Sequence, residues 1–261
     1  MTFLGAKDFG LEASLGRATG YLTLNKFGCA PDCDANIDTD VWDGADGITS
    51  TKVWVAPTQA RMHDIASSSA DDDGDPVGPG IRTVEVFGLI DWDSPEVGEV
   101  VVLNGTSSVP TANSYVIIHR MIGRTFGSLG VSAGTITATA QIDATITAMI
   151  AAGQGQTMMA IYGVPSTQEF RIRHVTAAAL RVAGAVSVKV DWFLFVKENA
   201  GQPDSAFIAK EVRYFTDISP LNHEYMVPKG FSGPLIVKIQ VQTDTINVRV
   251  AAGFDAYLVE K

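Results

Sequence analysis

Three acidic stretches hold most of the residues whose types and spacing suit chemistry. The first, "DCDANIDTDVWD" (32–43), sets oxygen-bearing side chains at Asp32, Asp34, Asn36, Asp38, Asp40 and Asp43. Such alternation suits a hard cation like Ca2+, which takes oxygen ligands. Ile37 stands where a calcium loop needs glycine, and no helical pattern flanks the run. An acidic, solvated lead-in to a strand is therefore the preferred reading. The second, "SSSADDDGDPVGPG" (67–80), puts Asp71, Asp73 and Asp75 at the first three ligand positions of an EF-hand. The same register puts Pro76 where glycine is needed and Arg82 where a bidentate Glu is needed. Its glycines and prolines read as a wide β-connection, with aspartates supplying turn geometry. The third, "DWDSPEVGE" (91–99), offers Asp91, Asp93, Glu96 and Glu99. Paired carboxylates can hydrolyse glycosides, but acids crowd surface loops for solvation alone.

The remaining reactive side chains are scattered. His63, His119, His174 and His223 occur singly, which favours packing or surface roles over a base or a ligand. Cys29 and Cys33 in "CAPDC" are the only cysteines. A structural zinc site takes about four ligands, so a small disulfide loop or two free thiols remain, and spacing leaves both open. "GFSGP" (230–234) sets the wrong spacing after Ser232 for a nucleophile elbow. "GQGQT" (153–157) reads as a turn, and there is no Walker A, H-E-x-x-H or strand-linked G-x-G-x-x-G. The sequence thus predicts a non-enzyme with no catalytic residue, no cofactor and no metal site.

The elements around these residues read as strands. "KVWVA" (52–56), "RTVEVFGLI" (82–90), "GEVVVLNGT" (98–106), "SYVIIHRMI" (114–122) and "GTITATAQI" (134–142) are rich in β-branched and aromatic residues. Asn104-Gly105 sits where a tight turn reverses the chain, which outweighs its reading as a glycosylation sequon. After Pro165 the pattern resumes at 169–178, 186–196, 209–218, 234–243 and 246–260. Val237, Ile239 and Val241 face one way while Lys238, Gln240 and Gln242 face the other, as on a strand. Helix is expected only as a turn or two within 8–20, and 140–153 leans towards strand. Trp42, Trp54 and Trp192 read as core. The expected fold is all-β: two tandem antiparallel sandwiches, jelly-roll or immunoglobulin-like, at 37–165 and 166–261, behind an irregular N-terminal arm at 1–36.

With 261 residues, 46% hydrophobic and 18% charged, the chain has the makeup of a soluble globular protein. No apolar run approaches the roughly 18 residues of a membrane span, and no Sec signal is expected at the start. The net charge of −10 is uneven. Residues 30–165 hold 17 acids and 5 Lys+Arg, a net of −12, whereas 166–261 hold 10 and 11, a net of +1. An acidic half without a compensating basic stripe disfavours nucleic acid as a partner.

Several blocks, in order, resemble a family of virion structural proteins of tailed phages, frequent among marine and environmental ones. They are "DTDVWDGADG" (38–47), "IASSSADD" (65–72), "GIRTVEVFGLIDW" (80–92), "EVVVLNGTSSVPTANSYVIIHRM" (99–121), "GTITATA" (134–140) and "GQTMMAIYGVP" (155–165). The resemblance implies a β-sandwich capsid-decoration or cement protein, located in the virion, forming a homo-oligomer, a trimer. Its partners would be further copies of itself and other virion proteins such as the major capsid protein or tail proteins, with no nucleic acid and no membrane. The alternative is a tail or fibre part that binds a host receptor or glycan. No catalytic residue is carried over.

Overall fold

A computed structural model describes residues 9–45, 52–181 and 187–261. Among them the architecture is all-β, with four antiparallel sheets and one short helix, α1 (Phe9–Ser14). The first sheet runs β1 (Tyr21–Cys33), β16 (Val248–Glu260), β11 (Gln168–Arg181), β14 (Leu221–Ser232). The second runs β10 (Ile161–Val164), β15 (Leu235–Thr243), β12 (Lys189–Glu198), β13 (Ile208–Thr216), and short β2 (Thr39–Asp40) also pairs with β15. Taken in chain order, β1 and β10 to β16 fill these sheets as first–eighth–third–sixth and second–seventh–fourth–fifth. That is the strand order of a jelly roll.

The other two sheets come from the chain between β2 and β10. One runs β6 (Val109–Pro110), β3 (His63–Ser67), β8 (Ile136–Ala140), β9 (Thr145–Ile150). The other runs β5 (Val97–Val102), β4 (Ile81–Leu89), β7 (Ile117–Phe126). A single buried cluster reaches all four sheets, and Trp42, Trp54 and Trp192 belong to it as expected.

Four details differ from the sequence reading. Tyr21–Cys33 is not an irregular arm but a 13-residue strand, paired with β16 from Tyr21↔Val259 to Cys33↔Val248. Its alternation is broken by Lys26, Gly28 and Pro31, so it lacks the usual apolar signature. Residues 53–56 form no strand, because the Trp54 amide donates to the Asp40 carboxylate at 2.7 Å instead of joining a ladder. β14 lies in a stretch not named among the expected strands; as an edge strand it needs no continuous apolar face. On β15, Lys238 and Gln240 are buried alongside Val237, Ile239 and Val241, because both bond the buried Asp40 carboxylate of neighbouring β2.

Candidate functional site

Four titratable groups displaced from ordinary behaviour meet in a cleft of about 550 Å³ where β1 passes β7 and β10. Strand alternation aims Lys26 to the same side of β1 as Leu24 and Ala30, the side that packs on the core. Two residues on, Gly28 allows the approach: a Cβ there would lie 2.4 Å from the Val41 carbonyl oxygen and 2.5 Å from the Ala160 nitrogen. Lys26 is 6% exposed, and its Nζ donates to the His119 carbonyl at 2.5 Å. Burial, reinforced by the charge of Arg120 and opposed by Glu96, pulls its pKa down to about 7.

His119 on β7 is 1% exposed, and its Nε2–H donates to Glu96 Oε2 at 2.5 Å. Its ring lies against Tyr162 of β10, centroids 4.3 Å apart. Burial lowers the imidazole pKa against the pull of Glu96, which favours the neutral ring. Nδ1 then carries a lone pair, with no hydrogen-bond partner among the described residues. Burial works against the Glu96 carboxylate too, but His119, Lys26 and Arg120 outweigh it and its pKa falls. Burial and the Glu96 charge raise the Tyr162 phenol. Buried, displaced groups in a cleft are what a binding or reactive site requires, although structural networks share that property. The arrangement can hold one added negative charge, or exchange a proton at Lys26 near neutrality.

Sequence reasoning met these residues apart. Glu96 was weighed only as one of four loop carboxylates, His119 as a packing residue, and Lys26 lay in the presumed arm. The readable signal was "LNKFG" (24–28), where Leu24, Lys26 and Gly28 fall on one strand face.

The residues singled out from sequence do not gather around a shared centre. In the first acidic run, Lys52 Nζ bonds Asp32 Oδ2 at 3.1 Å and Asp34 Oδ2 at 3.0 Å. Asp38 accepts from Gln242, Asp43 from the Met158 amide, and Asn36 turns the chain at φ 59°. Asp40 is fully buried and takes Lys238 Nζ at 2.6 Å and Gln240 Nε2 at 2.9 Å; burial raises its pKa against these partners. Among the described residues no group of three or more His, Cys, Asp or Glu could hold a metal.

The 67–80 stretch is a connection built on buried Asp72. Its carboxylate accepts from the amides of Ile81, Ala133 and Gly134 at 2.8, 2.9 and 2.8 Å and from the Ser67 hydroxyl at 2.6 Å. Asp73 accepts from the Asp75 amide in a local turn, and Arg82 Nε donates to the Gly78 carbonyl; Pro76 sits in the same turn. In the third stretch, Asp91 caps Asp93 and Ser94, Asp93 accepts from Ser166, and Glu99 accepts from Ala112 and Asn113.

His63 is buried with Nδ1 at 3.0 Å from the Arg61 carbonyl, and burial brings its pKa down to about 4. His174 bridges Asp255 and Asn222 on the outer face of the first sheet, and His223 stands edge-on to Tyr225. Both thiols are free, and burial pushes Cys33 up to about 12. Ser232 ends β14, and Gly153 makes a turn at φ 79°.

No family model matches the chain, and no curated protein matches it. Among solved structures, one titled "Structure of infectious bursal disease virus Gt strain" aligns over 92% of this chain and 73% of that chain. At 9% identity and a TM-score of 0.19, that likeness carries no argument.

Proposed function

We propose that this chain is a non-enzymatic structural protein of a tailed-phage virion, a capsid decoration or cement protein that works as a homo-oligomer, a trimer. In this reading it is a two-part β protein, a jelly roll joined to the acidic sheets between β2 and β10. The observation that carries it is the open side of the roll. Edge strands β13 and β14 expose Ile208, Val212 and Tyr214 on one and Met226 and Val227 on the other. Monomeric proteins blunt such edges, whereas subunits of a shell use them to meet neighbours. The ordered sequence blocks and the use of jelly rolls in capsids support the same reading by analogy. The uneven charge fits as well: a net of −12 over 30–165 suits a solvated outer surface, and +1 over 166–261 suits docking.

Quantitative mass spectrometry of purified particles tests the proposal. Copy numbers near that of the major capsid protein, or one trimer per capsomer, are expected. A handful of copies per particle removes the decoration role. That outcome would favour the second reading, a tail or fibre part that binds a glycan. One feature supports this alternative: Asn25, Asp255, His174 and Asn222 form a hydrogen-bonded row across all four strands of the first sheet. Tyr257 lies in the same groove.

A further inference from the structure

We propose that the cleft between β1 and β7 binds a monocarboxylate that carries an apolar tail. The argument begins with Lys26. Its ammonium makes one hydrogen bond among the described residues, to the His119 carbonyl, which leaves two N–H donors without a protein acceptor. Buried donors of a charged group are costly to leave unpaired, and Lys26 lines the cleft. An acceptor in the cleft would complete its shell.

Charge selects the kind of acceptor. The titratable groups lining the cleft are Arg120, cationic, Glu96, anionic, His119 and Tyr162, both neutral, and Lys26, which an arriving anion holds in its charged form. Their sum is one positive charge. A single carboxylate neutralises it, whereas a phosphate dianion overshoots and faces Glu96. Glu96 accepts from His119 through Oε2 and makes no ion pair with Lys26. Neutral His119 offers only a lone pair at Nδ1, so the anion belongs to Lys26 and Arg120.

The walls select the tail. Leu22, Leu24, Phe27, Phe87, Pro95 and Leu258 make most of the remaining wall, with Thr23, Asn25 and Gln168 its polar part. Leu22 is 51% exposed and Phe27 42% exposed, so they mark its mouth. A volume of about 550 Å³ falls in the range of small-ligand pockets. Two sources share this chemistry: a free aliphatic acid, and the C-terminal carboxylate of a polypeptide that ends in an apolar residue.

Calorimetric titration of the full chain near neutral pH with octanoate and with octanol tests the idea. A peptide ending in leucine is titrated as the free acid and as the amide. Octanoate, the acid peptide or both should bind at least tenfold more tightly than the neutral counterpart, as a charge-assisted hydrogen bond to Lys26 implies. Lys26→Met should erase the preference, and Arg120→Gln, at an exposed position, should weaken acid binding severalfold without affecting the fold. Acid binding should also draw protons from the buffer above neutral pH, because a carboxylate beside Lys26 favours its charged form. A preference for octanoate assigns the free acid; a preference for the acid peptide assigns a chain terminus. Equal affinity for charged and neutral probes, absence of binding at millimolar octanoate and acid peptide, or an acid preference that survives Lys26→Met would overturn the proposal.

Discussion

Replacing Lys26 with methionine is expected to make the protein more stable, by an amount that depends on pH. Burial brings the Lys26 ammonium from 10.5 down to about 7 in the folded chain. In the unfolded chain it titrates normally. Between those two values the unfolded state therefore binds more protons than the folded one, so this group's contribution to stability rises with pH across that window and is flat below it. Each pH unit of separation is worth ~1.4 kcal/mol, which makes the charge a burden of about 4 kcal/mol at pH 7 and less than about 1 kcal/mol at pH 10. Methionine fills similar space without the charge, but leaves the His119 carbonyl unpaired at a cost of about 1 kcal/mol. Lys26→Met should thus gain about 2–3 kcal/mol near pH 7, and lose most of that advantage by pH 10. Urea unfolding of both proteins at the two pH values, compared as differences, cancels the titration of all other groups. A difference that does not change with pH would mean that Lys26 titrates as an ordinary exposed lysine. The geometry of the cleft would then be wrong.

Asp72→Ala removes the shared acceptor of three amides and one hydroxyl, and should cost at least about 3 kcal/mol in urea unfolding, with Asp72→Asn in between. Asp40→Ala strands Lys238, whose side chain is 4% exposed, and should cost about 3–5 kcal/mol. The double change Asp40→Leu with Lys238→Met should recover most of it, which a double-mutant cycle would show. Millimolar Ca2+ or EDTA should leave the melting midpoint unchanged, because Lys52 already occupies Asp32 and Asp34; a rise with Ca2+ would revive the calcium reading.

The sequence revealed strands where one chain segment carried its own pattern. β4, β12, β15 and β16 each carry a stretch of alternation or an unbroken β-rich run within one segment, so each was legible alone. β1 was not, because Lys26, Gly28 and Pro31 interrupt it and its partner β16 lies at the other end of the chain. β14 hid for a different reason: an edge strand with Pro228 and exposed Met226 and Val227 buries too little to leave a periodic trace. "KVWVA" misled because β-rich composition does not reveal that Trp54 donates its amide to a side chain and its indole N–H to the Thr147 carbonyl. The cleft was least legible of all. Lys26, Glu96, His119 and Tyr162 come from four separated segments, and only the jelly-roll order brings β1 beside β10.

That order also explains how the roll tolerates so long a segment within it. The Val41 amide donates to the Ile239 carbonyl, the Ala160 amide to Val41, and the Ile239 amide to Ala160. The chain thus leaves the roll and re-enters it at one hydrogen-bonded point, and closing such a loop costs entropy that grows only slowly with its length. Two lysines then bridge the segment and the roll, Lys26 of β1 to the His119 carbonyl and Lys52 to Asp32 and Asp34, while Lys238 of β15 holds Asp40 of β2 at the exit point. All three lysines are buried. Salt separates this arrangement from a surface one. Raising ionic strength from about 0.1 M to about 1 M shortens the screening length from ~10 Å to ~3 Å, which weakens exposed pairs but hardly touches buried ones. Self-repulsion among the acids of 30–165, by contrast, lies largely in solvent and is relieved. The unfolding midpoint should therefore hold or rise in high NaCl. A fall would show that the lysine ties are solvated and that the seam is held by something else.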